Sequence, residues 1–158
     1  MIGRRWMTRT VLVRVALATV VVLGVMQLAP FRITHPPARS EPPWDSPATR
    51  SLAFRACGDC HSNRTTSQWY EQMAPISWWI KGHVDDGRAA LNFDNWPAGG
   101  LGKGTRAARV VQSGSMPPSY YTWLGLHSTA KLTPAERDQL ARGLLATLGP
   151  GPSRDDRS

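Results

Sequence analysis

The sequence predicts an all-α fold, in which one long apolar helix precedes a small helical domain. Apolar residues recur at the three- and four-residue steps of a helix in several stretches. Pro47 follows Ser46 and Pro134 follows Thr133, a combination that is typical of helix starts. No stretch alternates apolar and polar residues as a half-buried strand does, so no sheet is expected.

Residues 1–30 are predicted to form an N-terminal signal anchor, a single transmembrane helix. The apolar run at 11–29 would span about 28 Å as a helix, close to the thickness of the hydrocarbon layer. Arg4, Arg5 and Arg9 precede it, which predicts a cytoplasmic N-terminus and an exported remainder. A cleaved signal peptide is the alternative, but the run ends without an Ala-x-Ala pattern. We therefore expect a single-pass protein of the cytoplasmic membrane.

Residues 31–46 are predicted to be a Pro-rich linker. Six prolines fall between positions 30 and 47, and proline favours extended backbone both at its own position and at the one before. A semi-rigid polyproline-II segment would hold the following domain away from the membrane. In the alternative arrangement the segment packs against the domain, and Trp44 marks where that packing begins.

The predicted domain covers residues 47–149, and residues 150–158 are predicted to be a disordered tail. Its first helix begins at Pro47 and runs to a motif at 57–61. A second helix is predicted over roughly 75–91, with one stripe formed by Ile76, Ile80, His83, Gly87 and Leu91.

Two further helices complete the predicted domain. A short helix is predicted at about 105–112. The last helix begins after Thr133, which forms a capping box with Glu136. Its buried stripe is expected to consist of Leu140, Leu144 and Leu148.

Residues 57–61 read Cys-Gly-Asp-Cys-His, the attachment signature of c-type haem. Two sulfur atoms must reach two vinyl groups of one rigid ring, and Cys57 and Cys60 share a face of one helical turn. His61 follows at once and is the predicted proximal iron ligand. Aromatic residues crowd positions 69–96, where they are expected in a core around the porphyrin.

The same cysteines allow two other interpretations, a zinc site and a thioredoxin-like redox pair. A zinc site needs two more ligands at matching spacing, and the chain has no second cysteine pair. A thioredoxin-like pair follows a strand in a βαβ pattern, which the sequence does not show.

Three residues are candidates for the distal iron ligand: Met116, His83 and His127. Met116 is favoured because Pro117 and Pro118 stiffen a loop that lies well downstream of the haem motif. His83 lies on the apolar stripe of the second helix, where a hydrogen-bonded core histidine is the alternative. His127 lies in a polar loop and is the least favoured.

The formal net charge of +8 is concentrated at the N-terminal flank. Residues 1–30 carry four arginines and no acidic residue, whereas residues 45–148 carry 11 basic and 8 acidic side chains. Nucleic-acid-binding domains typically present a clustered basic surface. The balanced domain predicts no nucleic-acid partner.

From Ala56 to about Leu140 the chain resembles the small bacterial haem-binding domain family, a set of c-type cytochrome domains. The matching stretches are 57–63, Trp69-Tyr70, 74–78, His83-Val84, Gly87-Arg88, 91–93, Trp96, 116–118, Tyr120-Tyr121 and Leu132-Thr133. The resemblance implies a mostly helical cytochrome-c-like fold with one covalent haem c and its iron per chain, in a protein that is exported and often membrane-tethered. It does not identify a redox partner.

The expected function is electron transfer by a membrane-anchored monohaem cytochrome on the periplasmic side. The sequence shows no catalytic triad, carboxylate pair or phosphate loop, so an enzyme is not expected. One alternative is a haem enzyme, or a sensor of gas or peroxide, with an open distal site. The other is a thiol-disulfide protein that uses Cys57 and Cys60.

Overall fold

The computed structural model describes residues 2–29 and 31–151. In this part of the chain the backbone forms no strand and five α-helices: α1 (Ile2–Met26), α2 (Pro47–His61), α3 (Ile76–Ala90), α4 (Gly104–Gln112) and α5 (Pro134–Leu148). Short 3₁₀ segments lie at Trp69–Gln72, Ser119–Gly125 and Ser128–Ala130. The predicted all-α class with one apolar N-terminal helix is confirmed. Pro30 and residues 152–158, most of the predicted tail, lie outside the described residues.

One compact unit comprises residues 2–29 and 31–33 together with Ser67–Lys81. Its helix α1 contains an 18-residue window, Arg9–Met26, with a mean hydropathy of 2.0. The rest of the described chain buries none of this window. Because 18 helical residues rise about 27 Å, α1 is long and apolar enough to cross a bilayer.

The second unit comprises Thr34–Thr66 and residues 82–151. Helices α2, α4 and α5 pack together in it. The buried core of this unit consists of Leu52, Ala53, Phe93, Ala107, Ala108, Val111, Leu140, Ala141, Leu144 and Leu148. The stripe predicted for the last helix is confirmed, since its three leucines are at most 2% exposed.

The N-terminal ends of α2 and α5 follow the predicted capping signals. Ser46 Oγ accepts a hydrogen bond from the backbone N–H of Thr49 at 3.1 Å. Thr133 Oγ1 accepts from the N–H of Glu136 at 3.2 Å, and the Glu136 carboxylate accepts from the N–H of Thr133 at 2.9 Å. These bonds satisfy N–H groups that have no partner within the helix, so both predicted helix starts are confirmed.

Helix α3 lies close to its predicted range, and its predicted stripe is only partly buried. Ile76 is 45% exposed, whereas Ile80, His83, Gly87 and Leu91 are half-buried. The buried positions are instead Ser77 and Val84. Apolar residues occur around much of this helix, so periodicity alone could not identify the face that is buried.

The Pro-rich segment forms no helix over residues 31–46, and residues 34–46 belong to the second unit. The carbonyl of Ser40 accepts a hydrogen bond from the N–H of Trp96 at 3.0 Å, and Ser40 Oγ donates to the Trp96 carbonyl at 2.6 Å. Trp44 packs edge-on against Phe93, with ring centroids 5.2 Å apart. This part of the predicted linker thus has the packed arrangement rather than that of a free spacer.

Glu41 links the Pro-rich segment to α2 and to the loop that follows α2. Its carboxylate accepts hydrogen bonds from Arg50 Nε and Nη2 at 2.6 and 2.8 Å and from Arg64 Nη2 at 2.7 Å. The same two guanidinium groups lie 4.8 and 5.0 Å from the centroid of the Phe54 ring. The hydrogen bonds from Arg50 above all, with those from Arg64 and Trp44, lower the pKa of Glu41 to about 2.

Because folding lowers this pKa from 4.5, the stabilisation by Glu41 is present above about pH 4.5 and is lost as the pH falls toward 2. We expect Glu41→Gln to lower the free energy of unfolding at neutral pH by about 1–2 kcal/mol, a value discounted for solvent screening. The difference from wild type should shrink as the solution is acidified. Urea unfolding of the detergent-solubilised protein, followed by circular dichroism at several pH values, measures it.

Asp138→Asn provides the matched control, because Asp138 is an exposed carboxylate of α5. Its removal should change the free energy of unfolding by less than about 0.5 kcal/mol. A difference between wild type and Glu41→Gln that does not vary with pH would contradict the role assigned to Glu41.

Candidate haem-binding site

Helix α2 ends in the turn that carries the Cys-x-x-Cys-His motif, here called the attachment turn (57–61). Cys57 and Cys60 lie one helical turn apart, and no disulfide joins them. His61 is the last helical residue, since Ser62 has extended backbone. Cys57 also packs against the apolar core of its unit. The end of α2 thus presents two thiols and an imidazole at the edge of that core.

His61 is held by a backbone carbonyl just after α3. Its Nδ1 lies 2.9 Å from the carbonyl oxygen of Leu91. Because a carbonyl can only accept, Nδ1 carries the proton and Nε2 keeps its lone pair. Burial lowers the pKa of His61, against the opposing effect of the Leu91 and Gly87 carbonyls. The result is a neutral, oriented imidazole, which is the form that ligates a metal.

The surroundings of Cys57 differ from those of a reactive thiol, and the described residues offer no zinc-binding cluster. Burial, and after it the charge of Cys60, raises the pKa of Cys57 to about 12, whereas reactive thiols have a lowered pKa. A structural zinc ion takes four ligands. Within residues 2–29 and 31–151, no three His, Cys, Asp or Glu side chains gather as such a site. The donor set therefore favours haem over both alternatives.

Helix α3 lies directly against the attachment turn. A Cβ atom at Gly87 would lie 2.5 Å from the carbonyl oxygen of Cys60. The next residue, Arg88, donates from Nε to the Ser62 carbonyl at 2.7 Å and from Nη2 to Thr65 Oγ1 at 2.9 Å. Glycine at position 87 permits the close approach, and Arg88 fixes the loop that follows α2.

Asp59, a variable position of the motif, connects the attachment turn to the segment after Met116, and sequence reasoning missed this role. Its carboxylate accepts hydrogen bonds from the Tyr121 hydroxyl and from the backbone N–H of Thr66 at 2.9 Å. Thr65 Oγ1 donates to its carbonyl at 2.6 Å. Tyr121 lies 62 positions away in the sequence, so no local pattern distinguishes this aspartate from a solvated one.

Met116 lies in the loop between α4 and α5 and is partly buried. Its N–H donates to the Val110 carbonyl at 3.0 Å. Arg137 Nη1 donates to the carbonyls of Val111 at 2.6 Å and Met116 at 3.4 Å. Both flanking helices thus hold the loop in place. That Met116 is the distal ligand stays a prediction.

The two histidines named as distal alternatives each pack against a tyrosine. His83 meets Tyr120 edge-on, with ring centroids 5.6 Å apart. His127 is stacked on Tyr121 at 4.0 Å. The structure thus brings both histidines to the Ser119–Gly125 segment, and their part in iron binding remains a prediction.

The fold is that of a small α-helical domain. Its donor set consists of two thiols one helical turn apart and a neutral histidine, and this set fits haem. A family model described as a haem-binding domain matches residues 21–145, and the chain belongs to that family. This confirms the resemblance seen in the sequence, and the protein is a haem-binding protein. Searches of curated proteins and of solved structures each return no significant match.

The contact between α3 and the attachment turn yields a test at Gly87. We expect Gly87→Ala to lower the free energy of unfolding by about 1–3 kcal/mol, because the new methyl group meets backbone atoms of Cys60. Gly82→Ala is the matched control on the same helix. No atom lies within 4 Å of its added Cβ, so it should stabilise by up to about 1 kcal/mol. Urea unfolding compares the two variants. Equal free energies of unfolding would show that the close contact between Gly87 and Cys60 does not restrict the residue at position 87.

Proposed function

We propose that this protein is a membrane-anchored monohaem c-type cytochrome that transfers electrons outside the cytoplasmic membrane, and that it is not an enzyme. The observation that carries the proposal is the end of α2. Two thiols one helical turn apart adjoin a neutral histidine whose Nδ1 donates to the Leu91 carbonyl. This spacing matches the two vinyl groups and the iron of one porphyrin.

Cys57 and Cys60 are proposed to attach one haem c covalently. Each S–H would add across one vinyl double bond, which forms a thioether with no atom lost and no oxidant required. His61 Nε2 is the proposed proximal ligand, because Nδ1 is occupied by its bond to Leu91. Since Cys57 also packs against the core, attachment would tie the ring to the packed interior.

Met116 is proposed as the distal ligand, which distinguishes a carrier from a catalyst. Bound haem supplies a one-electron couple between ferric and ferrous iron. A methionine on the distal side would exclude peroxide and small gases and suit electron transfer. The loop of Met116 supports this assignment, since Arg137 holds it and the Tyr121–Asp59 hydrogen bond joins the following segment to the attachment turn.

Helix α1 is proposed to be an uncleaved, single-pass anchor. The arginines before its apolar run favour a cytoplasmic N-terminus, so the haem domain would lie on the periplasmic side. The partner is proposed to be another redox protein on that side of the membrane. The balanced charge of residues 45–148 supports the absence of a nucleic-acid partner.

Covalent attachment is tested by a denaturing gel stained for haem peroxidase activity. Wild type should keep the stain, and the Cys57→Ser/Cys60→Ser double variant should lose it, because both thioether sulfur atoms are gone. His127→Ala is the control and should stain like wild type. A stained double variant, or an unstained wild type, would refute haem c; an unstained wild type would return attention to the thiol-disulfide alternative.

The distal assignment is tested in the optical spectrum of the ferric protein. We expect a methionine-to-iron charge-transfer band that is lost in Met116→Ala and kept in His83→Ala. An unaltered spectrum in Met116→Ala would overturn the assignment. A five-coordinate, high-spin spectrum of the wild type would instead favour the enzyme or sensor alternative, since small molecules could then reach the iron.

A further inference from the structure

The segment Ser67–Lys81 is bound to the residues that directly follow α1. The side-chain amide of Gln27 pairs with the backbone of Ala74, with Nε2 donating at 3.0 Å and Oε1 accepting at 3.1 Å. Trp78 Nε1 donates to the carbonyl of Ala29 at 3.0 Å. Three hydrogen bonds thus hold this segment against the end of α1.

These contacts place the segment beside the end of the candidate membrane span. The span covers Arg9–Met26 and therefore ends one residue before Gln27. Phe31 also packs edge-on against Trp78, with ring centroids 5.8 Å apart. A helix that crosses a bilayer leaves the hydrocarbon at the headgroup layer. With α1 as the membrane anchor, a segment that contacts Gln27, Ala29 and Phe31 would lie at the boundary between membrane and water.

The same segment exposes four large apolar side chains. Trp69 is 74% exposed, Trp79 53%, Met73 49% and Ile76 45%. Ile76 and Trp79 are three positions apart on α3 and share a face. Tryptophan is enriched at membrane interfaces because its ring is apolar and its N–H remains polar. These four side chains are therefore better suited to contact with a lipid headgroup layer than to exposure to water.

The charges of the segment are compatible with a lipid surface. Glu71 is the one acidic residue between positions 67 and 81. It is only 7% exposed, and its carboxylate accepts from the backbone N–H of Gln68 at 2.7 Å. Lys81 adds a positive charge. Within 67–81, no exposed carboxylate would repel anionic headgroups.

We infer that Trp69, Met73, Ile76 and Trp79 form an interfacial surface that inserts into the headgroup layer of the leaflet where α1 leaves the membrane. This rests on the proposed role of α1 as an anchor. Insertion removes apolar area from water, and the attached helix keeps the effective lipid concentration high. The interfacial surface would thus fix the orientation of its unit at the membrane.

Photo-crosslinking to lipid tests the inference in the full-length, haem-loaded protein. p-Benzoylphenylalanine is placed at one position at a time, Val20, Met73, Trp79 or Leu101, in liposomes of phosphatidylcholine and phosphatidylglycerol. Mass spectrometry counts lipid adducts after irradiation. Val20 lies within the span and reports on the anchor alone. Leu101, 63% exposed and in the other unit, measures the background from a tethered domain.

We expect lipid adducts at Val20, and at Met73 and Trp79 at least about threefold more adducts than at Leu101. Adducts at Val20 with only background at Met73 and Trp79 would overturn the interfacial surface and leave the anchor intact. Equal labelling at Met73, Trp79 and Leu101 would also overturn it, since tethering alone would explain the adducts. No adducts at Val20 would refute the anchor and, with it, this inference.

Discussion

The arrangement of the candidate haem site depends on one constraint, the hydrogen bonds and close packing that join the end of α2 to residues 87–93. His61 Nδ1 donates to the Leu91 carbonyl, and the His61 carbonyl accepts from the N–H of Phe93 at 2.8 Å. Gly87 lies against the carbonyl of Cys60. Three contacts thus hold His61 in place: one through its side chain, one through its backbone carbonyl and one through the preceding residue, Cys60. Protein groups orient this imidazole, and such preorganisation suits the metal ligand that His61 is proposed to be.

A buried polar network also holds the loop that follows α2. Asp94 is fully buried, and its carboxylate accepts from the N–H of Asn63 at 2.9 Å and from Arg64 at 2.6 Å. A buried carboxylate is tolerated when it is paired and hydrogen-bonded in this way. Because Arg64 also bonds Glu41, the network joins the packed part of the Pro-rich segment to the loop after the attachment turn. Glu41 in the Pro-rich segment is therefore part of the polar network that supports the domain.

The aromatic residues show why composition alone could not place the core. The sequence led us to expect the aromatics of positions 69–96 in a core around the porphyrin. Phe93 is indeed 1% exposed, but Trp69 and Trp79 lie mostly at the surface. An aromatic ring suits a protein interior and a membrane interface equally well, so its identity does not decide between them. The arrangement of this region depends on tertiary contacts such as the bonding of residues 74–78 to the end of α1, which joins positions 47 and 49 apart in sequence.

The sequence by itself determined the features that neighbouring residues encode. The apolar length of α1, the caps at Ser46 and Thr133, the leucine stripe of α5 and the thiol spacing of the motif all depend on a few adjacent positions. Only the tertiary structure decided which distant groups contact the residues of the motif. The carbonyl of Leu91 reaches His61 across 30 positions, and Tyr121 reaches Asp59 across 62. Local periodicity carries no information about such pairings, because they depend on how the helices pack and not on what each helix contains.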